Sequence, residues 1–410
     1  MKVVVAARLK LDLGQSQLNE EAPTVKGAKT VVGAALFDDQ ERIVPLVSEY
    51  LSRGVKDASL AYQSAETYGR NLGYLIKHHQ ALDDYKHLTA DQILMVISRS
   101  GLSHYFYHLR VEEELDSTTL RNRDACYMAF FSNFLCSTGH KRSAYREDNP
   151  YELGLITPAP KRRLVIGCDP SELKGLLLST ELERERCLLQ FMHDAGTRRS
   201  EVGRVTLLAV KEALRFANTQ MVSTAATVAA LPAYCPVYIE GSKGAGNETK
   251  PRYSIVSRPT LERIRKYHAS PLYKTYARKF RDESETPCFF NSDGEAYSAD
   301  AISKLLERVS KRGVMSGRLS RAVSPHKLRH GNAYAILNSP DLGTDFLDRL
   351  VITQKSLGHA RLETVETYTA IPQSIYRTLC GTDSELKTRA EITAQLVSET
   401  RKRIGLGDKK

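Results

Sequence analysis

The chain has 410 residues, of which 41% are hydrophobic and 26% are charged, and it carries a formal net charge of +11. This length exceeds the size of one usual domain, so two domains are expected, with three as the alternative. No stretch approaches the roughly 20 apolar residues that span a bilayer. The N-terminal segment MKVVVAARLKLDLG is too interrupted for a signal peptide, so a cytoplasmic protein without a membrane segment is predicted.

Cysteine and histidine usage argues against disulfides, metals and cofactors. The seven cysteines are scattered and form no CxxC pair, and none of the 11 histidines lies in an HExxH motif. Reduced thiols in the core of a cytoplasmic protein explain this pattern better than disulfides or a zinc site. No metal and no cofactor is therefore expected.

The positive charge favours a polyanionic partner, most simply nucleic acid. Between Ser303 and His330, eight lysines and arginines stand against one acid, Glu307. Two interpretations stay open: a surface that faces DNA phosphates, and a basic face that meets only solvent. The first interpretation predicts double-stranded DNA as the partner and a protein that is nucleoid-associated when bound.

The first part of the chain reads as a short extension followed by helices. Residues 1–40 combine a strand-like run, KVVVAARLKL, with a polar loop. From about residue 41 to 140, apolar residues recur at spacings of three and four, which predicts helices. The candidate N-caps of the last of these helices are Asp116, Ser117 and Thr118.

A basic segment rich in proline and glycine, residues 146–170, predicts an extended linker and a domain boundary. The segment SELKGLLLSTELERERCLLQFMHDAG resumes the helical pattern directly after it. Helices are expected again from about residue 300 to the end. Strand-like runs lie between these helical parts, near 205–210, 234–240 and 253–257.

Four separated clusters carry residue types suited to phosphodiester chemistry. They are HDAGTRRSEVGRV (193–205), IEGSKGAGNETKPRYSIV (239–256), SPHKLRHGNAYAIL (324–337) and KSLGHARLETVETYTAI (355–371). Taken singly, each has an ordinary explanation. An Arg–Glu pair three apart on a helix is usually a weak surface ion pair, and a lysine in a glycine-rich turn is usually a solvated hairpin tip. Their meaning therefore depends on their order along the chain.

Together the clusters resemble the tyrosine recombinases, the family of phage integrases and Xer-type site-specific recombinases. GTRRSEV, a β-turn lysine, HKLRH, and LGH with a tyrosine nine residues after its histidine follow the order of that family's signature. The resemblance covers roughly residues 41–378. It implies a mainly α fold with a small antiparallel β-sheet, in which an N-terminal all-α core-binding domain and a C-terminal α+β catalytic domain form a clamp on DNA.

On this resemblance the chain divides into five segments. They are an N-terminal extension of uncertain structure (1–40), a helical, SAM-like core-binding domain (41–148), a basic linker (149–170), a catalytic domain (171–378) and a helical tail (379–410). Two arrangements of the tail stay open. It docks on a neighbouring protomer in a homotetramer on synapsed DNA, as family tails often do, or it packs on its own domain. Its expected apolar contacts are Leu386, Ile392, Leu396 and Val397.

The resemblance implies a role for each matching residue. The catalytic residues are the arginines Arg198 and Arg329, the general-acid lysine Lys243, the histidines His326 and His359, and the nucleophile Tyr368. Glu201 and His330 support them. The alternatives for the first arginine, the lysine and the tyrosine are Arg199, Lys250 and Tyr376.

Elementary chemistry agrees with these roles. Two arginines bind the nonbridging oxygens of a phosphodiester bidentately and stay charged throughout. A phenol with a pKa of roughly 10 attacks poorly until a base and nearby cations assist it. The departing 5′-oxygen needs a proton, which an ammonium such as Lys243 supplies. The expected reaction is site-specific cleavage and rejoining of DNA through a covalent 3′-phosphotyrosyl intermediate, without metal or ATP.

Two other functions stay open: a type IB topoisomerase-like nicking and closing enzyme, and a catalytically silent DNA-binding relative. HxLRH, LGH and a separate helical N-terminal domain favour a recombinase over the first. The presence of all six catalytic residue types argues against the second. Two spacings, from Arg198 to Lys243 and from Arg329 to His359, are longer than the family usually needs, and each is interpreted as containing an insertion.

Overall fold

The computed structural model describes residues 1–10, 30–138, 143–161, 165–216, 232–241, 249–359 and 387–402, with backbone only for 7–10 and 30–32. The chain divides into two compact units. The first is Met1–Arg162, and the second begins at Arg163. Among the helices in the described ranges, none is long and apolar enough to cross a membrane.

The first unit joins a two-stranded antiparallel sheet to a set of helices. Strand β1 (Lys2–Lys10) pairs with β2 (Thr30–Phe37) in a register that sets Lys2 opposite Phe37. The helices are α1 (Pro45–Lys56), α2 (Tyr62–Gln80), α3 (Ala90–Val96), α4 (Arg99–Val111) and α5 (Ser117–Phe130), which a π-helical turn (Phe131–Leu135) extends. The helices predicted between residues 41 and 138 are therefore present.

Capping residues explain where these helices start, and apolar spacing explains which faces they bury. The Asp116 carboxylate accepts from the backbone N–H of Thr118 at 2.8 Å and of Thr119 at 3.1 Å, so Asp116 is the N-cap of α5. On α2, the side chains of Leu72 and Ile76 are fully buried four residues apart. This i, i+4 face packs into the core of the first unit, as an amphipathic helix requires.

In its described residues, the second unit is mostly helical and contains a pair of antiparallel strands. Its helices are α6 (Pro170–Leu178), α7 (Glu183–Asp194), α8 (Arg199–Val202), α9 (Leu207–Arg215), α10 (Arg258–His268), α11 (Pro271–Ala277), α12 (Ala299–Met315), α13 (Pro325–Asn338), α14 (Phe346–Leu357) and α15 (Arg389–Thr400). Strands β3 (Tyr234–Ile239) and β4 (Arg252–Ser257) pair antiparallel. They fall where the sequence predicted strands near 234–240 and 253–257.

The strand predicted near 205–210 is wrong, because this segment begins helix α9. The Thr206 hydroxyl caps the helix by accepting from the backbone N–H of Ala209 at 3.3 Å. Leu207, Val210 and Ala213 then bury one helical face at a spacing of three. A short run of β-branched residues favours a strand locally, but the cap and this spacing decide the outcome.

Helix α7 forms the centre of the second unit, and all twelve of its residues are buried. Its buried acidic side chains are paired with arginines, as burial requires. Glu183 accepts from Arg263 at 2.7 and 2.9 Å, and Glu185 accepts from Arg308 at 2.5 Å. These pairs fix the position of the helix, and with it the position of Asp194 at its C-terminal end.

Helix α15 packs against its own unit. Near its end, Thr400 accepts through its hydroxyl from Arg263 at 2.7 Å and through its carbonyl from Arg186 at 2.6 Å. At its start, Arg389 donates to Asp194 Oδ1 at 2.7 Å. Of the apolar contacts expected in the tail, Leu396 is buried and Ile392 and Val397 are half-buried, while Leu386 lies outside the described residues.

Candidate active site

A tight turn follows helix α7 and is the first element of the site. Gly196 has a φ of +58°, in the left-handed region that favours glycine. A Cβ atom there would lie 2.5 Å from Leu357 Cδ2 and 2.7 Å from Asn332 Oδ1. The Gly196 carbonyl accepts from the guanidinium of Arg329 and, at 3.4 Å, from that of Arg252. The turn thus holds two arginines from distant parts of the chain.

Arg198 and Glu201 lie directly after this turn. Arg198 is the N-cap of α8. Glu201 Oε2 accepts from the Arg198 backbone N–H at 2.8 Å, and Oε1 accepts from Arg198 Nη1 at 2.7 Å. The Glu201 side chain is fully buried, whereas 24% of the Arg198 side chain is exposed. Glu201 therefore orients a guanidinium that stays accessible from solvent.

Arg199, the alternative first arginine, lies elsewhere. Its Nη1 donates to Ser303 Oγ at 2.8 Å, and 53% of its side chain is exposed. The structure brings Arg198, and not Arg199, into contact with Glu201.

Arg329 approaches the same place from helix α13. Ser324 caps this helix by accepting from the Lys327 backbone N–H at 3.4 Å, and Pro325 occupies the first turn. The Arg329 residue is only 4% exposed. Besides its bond to Gly196, it donates from Nη2 to the Leu357 carbonyl at 2.6 Å. Arg329 therefore joins the turn after α7 to the end of α14.

His359 reaches the site because of a glycine at the end of α14. Gly358 adopts the left-handed conformation, with φ 68° and ψ 41°, and ends the helix. The His359 backbone N–H then donates to the Gln354 carbonyl at 3.0 Å. Burial, followed by the charges of Arg329, Arg198 and Arg252, lowers the pKa of His359 to about 4. His359 is therefore neutral at physiological pH and lies among three guanidiniums.

His326 and His330 lie four residues apart on α13. Their ring centroids are 6.2 Å apart with an interplanar angle of 26°. Burial, then the proximity of His326 and Arg329, lowers the pKa of His330 to about 4. His326 is exposed at the start of the helix and His330 is half-buried. Both histidines lie within one turn of Arg329 on the same helix.

Arg252 is a residue that the sequence-based assignment missed. It begins β4, its side chain is 7% exposed, and its Nη1 lies 3.0 Å from Glu201 Oε2. Its Nε donates to the Ser356 carbonyl at 2.8 Å. The alternation of side chains along β4 could have identified it. Ser254 and Val256 are buried, and Arg252, two residues before Ser254, lies on the same face of the strand.

Positive charges outnumber negative charges around Glu201. Burial alone would raise the pKa of this carboxyl, but Arg252, Arg198 and Arg329 together hold it below its ordinary value. Three guanidiniums therefore surround one carboxylate, which leaves an excess of positive charge. Such an excess in a largely buried place is unfavourable without an anion.

The remaining predicted site residues have different outcomes. Lys243, Tyr368 and Tyr376 lie outside the described residues. Lys250 is exposed in the segment before β4, and its carbonyl lies close to Gly241 at the base of the hairpin. Within the described part of the chain, no group of three or more His, Cys, Asp or Glu residues is placed to hold a metal ion.

Comparison with known proteins decides the family. The model of the phage integrase family matches residues 169–374, which contain all of the site described above. The chain belongs to the phage integrase family. The resemblance drawn from GTRRSEV, HKLRH, LGH and the following tyrosine is therefore confirmed.

This integrase-family chain is similar to curated site-specific recombinases over most of its length. It is 22% identical over 326 residues to tyrosine recombinase XerD of Halalkalibacterium halodurans, covering 78% of this chain and 91% of that one. It is 25% identical over 277 residues to tyrosine recombinase XerC of Pelotomaculum thermopropionicum, covering 65% and 75%. It is thus a member of a family of site-specific DNA recombinases.

Solved structures show the same fold. XerH site-specific recombinase bound to palindromic difH substrate, in a post-cleavage complex, superposes with a TM-score of 0.53 at 17% identity and covers 78% of this chain and 80% of that one. A lambda integrase dimer bound to a COC′ core site gives 0.50 at 12% identity, with 79% and 75% covered. The predicted fold class, mainly α with small antiparallel sheets, is confirmed.

Proposed function

We propose that this integrase-family protein cleaves and rejoins double-stranded DNA at specific sites, through a covalent 3′-phosphotyrosyl intermediate on Tyr368. The observation that carries the proposal is the convergence of Arg198, Arg252 and Arg329 on the single carboxylate of Glu201. The excess positive charge suits a phosphodiester, whose nonbridging oxygens gain charge during attack. Family membership supplies the reaction class.

Within this mechanism, Arg198 and Arg329 bind the nonbridging oxygens of the scissile phosphate. Arg198 is accessible while Glu201 fixes its orientation, so little freedom is lost when a phosphate binds. Because the pKa of His359 is lowered to about 4, this imidazole acts as a neutral hydrogen-bonding group beside the phosphate. His330, which is also neutral at physiological pH, supports Arg329 in the same way.

Proton transfer completes the reaction. Attack by the Tyr368 phenol forms the phosphotyrosyl bond and breaks the bond to the 5′-oxygen, while His326 assists removal of the phenol proton. Lys243, with Lys250 as the alternative, protonates the leaving 5′-oxygen. Rejoining reverses these steps, because the phosphotyrosyl bond conserves the energy of the cleaved linkage. The protein residues alone suffice for this scheme, and it uses no nucleotide.

DNA binding in this proposal uses both units of the chain as a clamp, and recombination uses a homotetramer on synapsed sites. Support comes from the net charge of +11 and from helix α12. Its residues Lys304, Lys311 and Arg312 are all exposed. The XerH and lambda integrase structures that share the fold contain DNA.

A suicide DNA substrate, nicked near the cleavage position, tests the function. The wild-type protein should form an adduct with DNA that survives denaturing electrophoresis, and Tyr368→Phe should abolish the adduct while DNA binding persists. Tyr376→Phe is the matched control and should form the adduct normally. Persistence of the adduct in Tyr368→Phe, with loss in Tyr376→Phe, would show that the nucleophile is wrongly assigned.

A further inference from the structure

Asp194, the last residue of α7, lies at the centre of a buried polar network that the proposed chemistry does not use. Its Oδ1 accepts from Ser257 Oγ at 2.9 Å, and its Oδ2 accepts from the Ser257 backbone N–H at 2.9 Å. Its carbonyl accepts from Asn332 Nδ2 at 2.7 Å. These bonds tie the end of α7 to the end of β4 and to α13.

Arg389, at the start of α15, completes this network from the far end of the sequence. Both its side chain and that of Asp194 are 3% exposed, and Nη2 lies 2.7 Å from Asp194 Oδ1. The same nitrogen donates to the Asp194 carbonyl and, at 2.9 Å, to the Ile255 carbonyl in β4. Arg389 therefore contacts the end of α7, which leads into the Gly196 turn, and strand β4, which carries Arg252.

The turn that receives those arginines lies two residues after Asp194. The Gly196 carbonyl accepts from Arg329 and Arg252, and Asn332, which binds the Asp194 carbonyl, is three residues beyond Arg329 on α13. The orientation of the Gly196 peptide thus depends on where Asp194 is fixed. A displacement of about 1 Å at such a support can slow a reaction by roughly a hundredfold.

We infer that Arg389 and Asp194 are positioning residues for DNA cleavage: the C-terminal helix, docked through Arg389, fixes the turn that holds the phosphate-binding Arg329 and the supporting Arg252. This inference rests on the proposed function. It makes the C-terminal helix a structural part of the site, although the helix itself contributes no group to the chemistry.

A general role of α15 in stability can be distinguished from a positioning role, because different residues bind its two ends. The Thr400 end is bound by Arg263 and Arg186, with Arg263 also paired to Glu183. Those contacts reach α7 at Glu183, Arg186 and Gln190 and not at the Gly196 turn. Thr400→Val removes a buried hydrogen bond from the same helix and is therefore the matched control for Arg389→Gln.

The first measurement is the rate of adduct formation on the suicide substrate at saturating DNA, together with DNA affinity and thermal stability. Arg389→Gln and Asp194→Asn should each slow adduct formation by roughly tenfold or more, with less than about a threefold change in affinity. The double variant should be no slower than the slower single variant, because the two residues act as one unit. Arg389→Lys, which retains the charge, should recover part of the rate. Equal slowing by Thr400→Val would overturn the inference, since it would show a general effect of helix docking.

The second measurement does not need activity. Nuclear magnetic resonance of the full-length protein, with labelled histidines and His359→Gln for assignment, reports the pKa of His359 directly. Arg389→Gln should let Arg329 move away and admit water, so the pKa should rise from about 4 towards 6.5, whereas Thr400→Val should leave it unchanged. An unchanged His359 titration in Arg389→Gln would contradict the inference even if no adduct formed. An adduct that survives in Tyr368→Phe would contradict only the proposed function.

Discussion

Arg252 and Glu201 form a buried ion pair, with Arg252 Nη1 3.0 Å from Glu201 Oε2. Arg252 comes from the second strand of the hairpin and Glu201 from the short helix after the Gly196 turn. Because the same carboxylate binds Arg198, the hairpin and the turn are joined by one acidic group. The hairpin therefore contributes a supporting arginine to the site.

Replacing Arg252 should damage both stability and cleavage. Arg252→Met leaves Glu201 paired with Arg198 but removes the donors to the buried Ser356 and Gly196 carbonyls, and leaving such acceptors unsatisfied costs roughly 1–3 kcal/mol. The free energy of unfolding, measured by urea titration, should fall by that amount. Arg199→Met is the control, because this side chain is 53% exposed, and it should change stability by less than about 0.5 kcal/mol. Similar losses in both variants would contradict the buried pair.

Adding a methyl group at Gly196 should be far worse than adding one at another left-handed glycine. Gly196→Ala combines backbone strain with a Cβ atom 2.5 Å from Leu357 Cδ2, so a loss of roughly 2–5 kcal/mol is expected. Gly317 has a φ of +68°, and a Cβ atom added there would have no neighbouring atom within 4 Å. Gly317→Ala should therefore cost only the conformational strain, roughly 1–2 kcal/mol. Urea titration of both variants measures the difference, and equal losses would rule out the close contact.

Stability should fall as the pH is lowered from about 6.5 towards 4. The pKa values of His330 and His359 are about 4 in the folded protein against 6.5 for a free histidine. Between these values the unfolded chain binds protons that the folded chain does not, so protonation favours unfolding. Above pH 7 their contribution should be constant. Urea titrations at several pH values check this, and the double variant His330→Gln/His359→Gln should show a weaker pH dependence over the same range.

The exposed basic face of α12 should contribute to DNA affinity through phosphate contacts. Lys311→Ala/Arg312→Ala should weaken binding across DNA sequences and should lower the slope of log K against log salt by about 1 per lost phosphate contact. Lys279→Ala is the control, because Lys279 Nζ already lies 3.7 Å from Glu295 Oε1. Fluorescence anisotropy at several salt concentrations measures the slopes. An unchanged slope in the double variant would favour the interpretation of α12 as a face that meets only solvent.

Several features of the fold were predictable from local patterns alone. The apolar spacing in α2 and the Asp116 cap of α5 depend on neighbours within one or two turns, so a single segment contains the information. The segment after Val205 shows the limit of this approach. Its β-branched residues suggested a strand, and the hydroxyl cap of Thr206 with the buried face of α9 produced a helix instead.

The family, and the candidate site residues proposed from it, follow from short motifs around Arg198, Arg329 and His359, each contained in one segment of the chain. How these side chains are held depends on contacts between distant segments. The bonds from Arg252 to Glu201 and Ser356, and from Arg389 to Asp194, join segments far apart in the chain. These contacts form only where packing brings distant segments of the backbone together. No periodicity or motif within one segment therefore predicts them.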